Sequence, residues 1–171
     1  MNDTPLPLTV AELDAEAIGG ELLALNNAHA TELSWLEPAA LRHLVAQAFL
    51  ARRIGRSDAL LLALDQDARY RSPNFLWFRN CFRHFVYVDR VVVAPAARGR
   101  GLARGLYRAL FEDALRSGHT RVVCEVNSAP PNPASDSFHA MLGFHEVGTG
   151  TIQGGSKTVR YLERLLIPER S

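Results

Sequence analysis

Cysteine is scarce in this 171-residue chain: Cys81 and Cys124 are the two present. Two thiols so far apart build neither a metal site by themselves nor a disulfide framework, and they point to a reducing compartment. Lysine is scarcer still, with Lys157 the single example beside 18 arginines. The arginines spread along the whole chain, which reads as genomic composition bias. Charge of one sign is lacking as well. The balance of 19 basic against 18 acidic residues leaves +1, far from the basic excess of a nucleic-acid-binding surface. No run of 18 apolar residues occurs, so no segment reads as membrane-spanning. Met1 to Leu8 lacks the charged-then-apolar pattern of a secretory signal, and a cytoplasmic protein is the expectation. The histidines show no metal-ligand spacing with one another or with cysteine, so no metal is expected. There is no internal repeat. What is present, 47% hydrophobic and 22% charged residues, is the composition of one globular domain spanning 1–171.

Local patterns predict a short strand at Leu8–Val10 and a helix over Ala11–His29, weakened by Gly19 and Gly20. Pro38 opens a second helix running to about Ala51. Ala59–Leu64 reads as a buried strand and Asp65–Asn74 as a loop, while the aromatic stretch Phe75–Phe82 is ambiguous. Phe85–Val93 is the best strand, ended by Pro95. A helix follows from Gly99 to about Ser117, stopped by Gly118. Then come a strand at Arg121–Val126, a rigid loop at Pro130–Pro133 and a short helix at Ala134–Leu142. Strands at Phe144–Val147 and Thr158–Leu166 close the chain, joined by a Gly-rich turn at Gly148–Gly155. This order predicts a mixed α/β sheet with about four helices.

The sharpest signal is Arg98-Gly99-Arg100-Gly101-Leu102-Ala103, between the best strand and an amphipathic helix. Glycine lets the backbone approach a ligand closely. The first N–H groups of a helix lack internal partners and sit at the positive end of its dipole, which suits a phosphate. Arg98 and Arg100 add charged donors. A plain strand–helix connection needs one glycine and no arginine pair. A dinucleotide fingerprint is superficially available in Gly99, Gly101 and Gly105, with Glu125 twenty residues on. That fold, however, needs several further strand–helix units, and only one short helix follows. A Walker-type loop fails because no Gly-Lys-Ser/Thr follows.

Arg98-x-x-Gly101-x-Ala103, preceded by Val91-Val92-Val93-Ala94-Pro95, resembles the acyl-CoA-binding motif of the GCN5-related N-acetyltransferase (GNAT) superfamily. Phe138 to Phe144, with Leu142-Gly143-Phe144, is similar to that family's last short helix and its entry to the next strand. The resemblance is motif-specific from about Phe85 to Val147. Residues 1–80 match by pattern only and correspond to the variable, acceptor-side half. It implies a mostly antiparallel sheet with a central, splayed parallel strand pair. It further implies acetyl-CoA as cosubstrate and no metal. Pantetheine would lie against the backbone of Val91, Val92 and Val93 and against the strand reaching Asn127. The pyrophosphate would sit on Arg98, Gly99, Arg100, Gly101, Leu102 and Ala103, with Asn132, Ser135 and Phe138 flanking the pantetheine. The Ser128-Ala129-Pro130-Pro131 stretch makes this loop longer than is usual in the family.

Acetyl transfer to an amine requires deprotonation of the amine, stabilisation of the thioester oxyanion and protonation of the leaving thiolate. An N–H of Val91–Val93 is the expected oxyanion donor. Asp89, in an otherwise apolar strand, and Glu125, on the neighbouring strand, are the candidates for the base, and each is equally open to a structural pairing. Strict alternation places Tyr87, Asp89 and Val91 on one face unless a bulge intervenes. By the resemblance, His139 stands where the family usually has a tyrosine that protonates the thiolate. Tyr87 and Trp77 are candidates for the acceptor pocket, although aromatic residues also build cores. The expected acceptor is a small-molecule or peptide amine, with no nucleic acid and no membrane as partner. The strand Arg160–Leu166 is available as an edge for a homodimer. A non-catalytic CoA-binding sensor or interaction module remains the alternative.

Overall fold

The computed structural model describes residues 2–15 and 17–167. Its sheet is built around the two most apolar stretches of the chain. β3 (Ala59–Asp65) and β4 (Val86–Val93) pair antiparallel and are covered on both faces. Leu60, Leu62 and Leu64 point into one core, while Leu61 and Ala63 point into the other, as period-2 alternation requires. β1 (Leu6–Pro7) and β2 (Leu50–Ile54) extend the sheet on the β3 side, and β5 (Arg121–Ala129), β7 (Lys157–Leu165) and β6 (His145–Ile152) extend it on the β4 side. The seven-stranded order is β1-β2-β3-β4-β5-β7-β6. Every neighbouring pair is antiparallel except β4 and β5.

One face carries α1 (Val10–Asp14), α2 (Ile18–Asn27), α3 (Pro38–Gln47) and α4 (Pro73–Cys81). The other carries α5 (Leu102–Arg116) and α6 (Pro133–Met141). Leu102, Leu106, Leu110 and Ala114 bury one stripe of α5 against the sheet, the 3.6-residue period of an amphipathic helix.

Among the described residues there are six helices, where about four were expected. The stretch read as one helix over Ala11–His29 is α1 and α2. Thr9 forms a capping box with Glu12, and the chain breaks through extended Ala15 and left-handed Ala17. In one straight helix Leu13 would lie about 180° around the axis from Leu22; the break lets both face the core. The first strand is Leu6–Pro7, not Leu8–Val10, because Thr9 and Val10 are spent on that helix start. The second helix stops at Gln47, and Leu50–Ile54 is a strand, since pairing with β3 from Leu50↔Ala63 to Ile54↔Ala59 overrides local helical propensity. The ambiguous aromatic stretch is α4.

The Gly-rich turn is shorter than expected. Gly148 and Gly150 lie inside β6, and only residues 153–156 turn. A Cβ on Gly148 would stand 2.5 Å from the Trp77 ring, and one on Gly150 would stand 2.5 Å from the Tyr161 hydroxyl. Their role is close approach of aromatic rings rather than turning. β7, expected as an edge strand, is enclosed by β5 and β6; β1 and β6 form the edges.

Strict alternation along β4 also gives way. The register against β3 shifts between Leu62, paired with Arg90, and Ala63, paired with Val88. Asp89 is therefore the extra residue of a bulge, which reverses the facing of the residues after it. Tyr87 and Val92 point to the α1–α4 face, and Val91 packs on the α5 face.

Candidate functional site

β4 and β5 pair only at Val86↔Val122 and Tyr87↔Val123. Beyond Tyr87, β4 keeps its partner β3 while β5 continues along β7, so the two central strands diverge. A cavity of about 380 Å³ occupies the opening. Its walls come from both faces of the sheet. Tyr70, Asn74, Tyr87 and Glu125 lie on the α1–α4 side, and Tyr107, Cys124, Ser135 and His139 on the α5–α6 side.

Glu125 is the most unusual group in it. Its Oε1 accepts from Tyr87 Oη at 3.0 Å and from Asn74 Nδ2 at 3.0 Å. Asn74 is itself fixed by Tyr161 Oη, which donates to Asn74 Oδ1 at 3.1 Å. The other oxygen, Oε2, is buried and has no hydrogen-bond partner. Burial pushes the carboxyl up to about 7, with the charge of Asp89 adding to the rise and the two donors opposing it. A buried acceptor left without a partner costs about 1–3 kcal/mol.

Asp89 is placed differently. Its Oδ2 accepts from Arg90 Nε at 2.8 Å in a buried ion pair, and Arg90 Nη1 continues to Asn26 Oδ1 at 2.8 Å. The bulge thus turns Arg90 inward to tie α2 to the sheet. On the opposite wall, His139 is buried with Nδ1 2.8 Å from the Ser135 carbonyl and Nε2 2.7 Å from Tyr107 Oη. Burial holds its imidazole below the usual histidine range.

A second cleft of about 290 Å³ adjoins the α5 N-terminus, lined by Val93, Ala97, Arg98, Gly99, Gly101, Leu102, Ala103, Arg104 and Phe138. Gly99 and Gly101 adopt φ of 82° and 75°, a conformation that glycine takes without strain, and the space beside both is open. The first intrahelical bond runs from Gly105 N to Gly101 O, leaving the N–H groups of Leu102, Ala103 and Arg104 ahead of it. The geometry therefore fits a diphosphate. Arg98 lines this cleft and touches His29 Nε2 at 3.3 Å, whereas Arg100 turns away to Asp3 and Asp58.

A sequence model described as the Acetyltransferase (GNAT) family matches residues 59–144. The chain belongs to this family. A curated relative, phosphinothricin N-acetyltransferase of Streptomyces coelicolor, is 42% identical over 59 residues, which is 34% of this chain and 33% of that protein. The match thus spans a third of that relative's length. Among solved structures, the NatC complex bound to Gag peptide and CoA aligns with a TM-score of 0.70 at 14% identity, covering 96% of this chain and 98% of that one. The ribosomal-protein-S18-alanine N-acetyltransferase from Escherichia coli aligns at 0.64 and 14%, covering 98% and 97%. An aminoglycoside 6'-N-acetyltransferase complexed with coenzyme A aligns at 0.66 and 11%, covering 92% and 96%. At these identities the structural likeness speaks for the GNAT fold.

Within this GNAT domain, the residues singled out from the sequence divide between the two cavities. Tyr87, Asp89, Glu125, Val91, Asn127, Asn132, Ser135 and His139 line the central one, and Val93, Arg98, Gly99, Gly101, Leu102, Ala103 and Phe138 line the cleft. Asn132 caps α6, accepting from Ser135 N at 3.3 Å. Val92 is buried in the α1–α4 core. Trp77 lies outside both linings, stacked on Tyr161 at 4.1 Å. Sequence reasoning missed Asn74, Tyr107, Tyr161 and Arg104. Arg104, one residue past the glycine motif, carried a readable signal; Asn74 and the two tyrosines carried none beyond their type. Among the described residues, no three His, Cys, Asp or Glu come together to hold a metal ion.

Proposed function

We propose that the chain is an acyl-CoA-dependent N-acyltransferase that moves acetyl from acetyl-CoA to a primary amine of a small molecule or peptide in a ternary complex. The observation that carries this reading is the Glu125 carboxylate, fixed through Oε1 and left without a partner at buried Oε2, in the wall of a cavity between the diverging strands.

The cofactor's phosphates would lie on the N–H groups ahead of Gly105, with Arg98 and Arg104 as counter-charges. Its pantetheine would run past Phe138, Ser135 and Asn132 and add to the unpaired edge of Val91–Val93, as an extra strand would. The thioester would then stand at the apex, between Tyr107 and Glu125. An amine entering from the α1–α4 side meets the wall that holds Glu125, and the carboxylate takes its proton through one water. With a carboxyl near 7 the basic form is populated at neutral pH while retaining proton affinity. The amine nitrogen then attacks the acyl carbon, an N–H of the Val91–Val93 segment supports the developing oxyanion, and the carbon–sulfur bond breaks with its electron pair on sulfur while the nitrogen's second proton passes to the thiolate or to solvent. The names of the relatives, one acting on phosphinothricin and one bound to a peptide, span the acceptor classes to try first.

The test is thiol release from acetyl-CoA with a panel of amino acids, aminoglycosides and peptide N-termini, with the acetylated product weighed by mass spectrometry. Amine-dependent thiol release, one per acetylated amine and with no acetylated protein accumulating, is expected. CoA binding without thiol release on any amine would make the chain a cofactor-binding module instead.

A further inference from the structure

The carboxylates and full cations in the lining of the central cavity are Glu32, Asp89, Arg90, Glu125 and Lys157. Three of them are already engaged. Asp89 and Arg90 neutralise each other in their buried pair, and Glu125 is fixed by Asn74 and Tyr87. Lys157, the single lysine of the chain, is not. Among the described residues its side chain has no carboxylate partner and no hydrogen bond. The other cations of β7 are held: Arg160 pairs with Asp136 and Glu146, and Arg164 donates to the Leu142 carbonyl. Glu32, in the connection between α2 and α3, also lacks a side-chain partner among the described residues. Two features fix the face on which Lys157 stands. Period-2 alternation along β7 puts it with Val159 and Tyr161, which pack in the α1–α4 core. Its partner on β6 is Ile152, which packs on that same core and also lines the cavity. Tyr161 stands opposite Glu125 in the β5–β7 register. Lys157 comes four residues before Tyr161, so it lies about 13 Å along the strand from the level of Glu125.

We propose that Lys157 selects the acceptor: it holds an anionic group, a carboxylate or a phosphate-type oxyanion, that the amine substrate carries two to four peptide lengths, roughly 7–13 Å, from its reacting nitrogen. This rests on the acyl-transfer reading above and names the acceptor class for it. A half-buried cation has lost part of its hydration, and a counter-charge offsets that loss. The fixed anions of the wall do not supply one, since Asp89 is tied to Arg90 and Glu125 lies a strand's length away. An acceptor anion does, through a charge-assisted hydrogen bond from an ammonium carried on a flexible four-carbon stem. Glu32 gives the wall its opposite pole. An acceptor with an ammonium at one end and an anion at the other is attracted by both free charges, whereas a polyamine meets repulsion at Lys157. The α-carboxylate of a free amino acid sits too close to its own nitrogen to reach Lys157 while the amine stands by Glu125.

The experiment measures kcat and KM for thiol release from acetyl-CoA with two matched pairs of acceptors. One pair is 8-aminooctanoate and 8-aminooctanamide; the other is the peptide amides Ala-Ala-Asp and Ala-Ala-Asn. The wild type is expected to favour the acid about 10 to 100-fold in kcat/KM, through KM rather than kcat, the range of a hydrogen bond to a charged group. A preference in one pair alone supports the site and tells a small-molecule acceptor from a peptide. Lys157→Met, which keeps an unbranched stem without the charge, is expected to abolish the preference, Lys157→Arg to keep it, and Lys157→Glu to turn it against the acid. In the wild type itself the preference should shrink as salt rises, which tests the charge without a variant. Equal kcat/KM for acid and amide in both pairs, or a preference that survives Lys157→Met, overturns the proposal. A wild-type protein that releases no thiol with any amine overturns the acyl-transfer reading, and this proposal with it.

Discussion

Glu125 ties a stability signature to the role of base proposed for it. Its carboxyl is raised from 4.5 to about 7 in the folded chain, so between those values the native state holds a proton that the unfolded state has released. Stability is then full below the unfolded value and falls as pH rises towards the folded one. Between pH 5 and pH 8 the wild type should lose about 2 kcal/mol more than Glu125→Gln, as read from urea unfolding at both pH values. Turnover by the wild type should climb through about pH 7, and Glu125→Gln should lower it by about 10² to 10⁴-fold. Parallel pH curves for the two proteins would remove the carboxyl from this account. Asp89→Asn should behave otherwise. It leaves buried Arg90 without its anion, at about 3 kcal/mol or more. Because the charge of Asp89 helps to raise Glu125, it should also move the activity limb to lower pH. Both carboxylates were legible in the sequence, but their difference was not. It depends on a one-residue bulge, and on Asn74 and Tyr161 reaching Glu125 from distant elements.

At the scale of elements, the motif-bearing centre was readable because its signals are local. The Val-rich run, the glycines before α5 and the stop at Gly118 each act within a few residues. The N-terminal half was not, because its elements answer to distant partners. β2 exists through its pairing with β3, and α1 separates from α2 to bring Leu13 and Leu22 to one core. The glycines of β6 show the same limit. Gly148 looked like turning chemistry and instead gives room to Trp77, whose ring stacks on Tyr161. Gly148→Ala should push Trp77 off that stack, with an overpacking cost of about 1–3 kcal/mol. Because Tyr161 holds Asn74 against Glu125, turnover should fall with it. Tryptophan fluorescence and a denaturation curve would report the change; an unshifted spectrum with wild-type stability would show that the ring yields freely.

Across the whole molecule, the two core layers meet where β4 and β5 part, so a ligand seated there bridges α5, α6 and both strands at once. Any ligand that binds only the native state stabilises it by mass action, about 2.7 kcal/mol at a hundred times its dissociation constant. For a chain of this size that raises Tm by about 5–10 °C. CoA and acetyl-CoA should each produce such a shift, and NADPH should not, since the fold supplies one glycine turn and one diverging strand pair. Gly101→Val supplies the control. Gly101 sits at φ 75° with open space beside it, so a β-branched side chain would strain the backbone by about 1–2 kcal/mol and project into the cleft at the α5 N-terminus, where the diphosphate is proposed to sit. The variant should melt a few degrees lower without ligand and show no shift with CoA. A CoA shift that survives Gly101→Val would place the diphosphate elsewhere, and an NADPH shift without a CoA shift would overturn the cofactor reading.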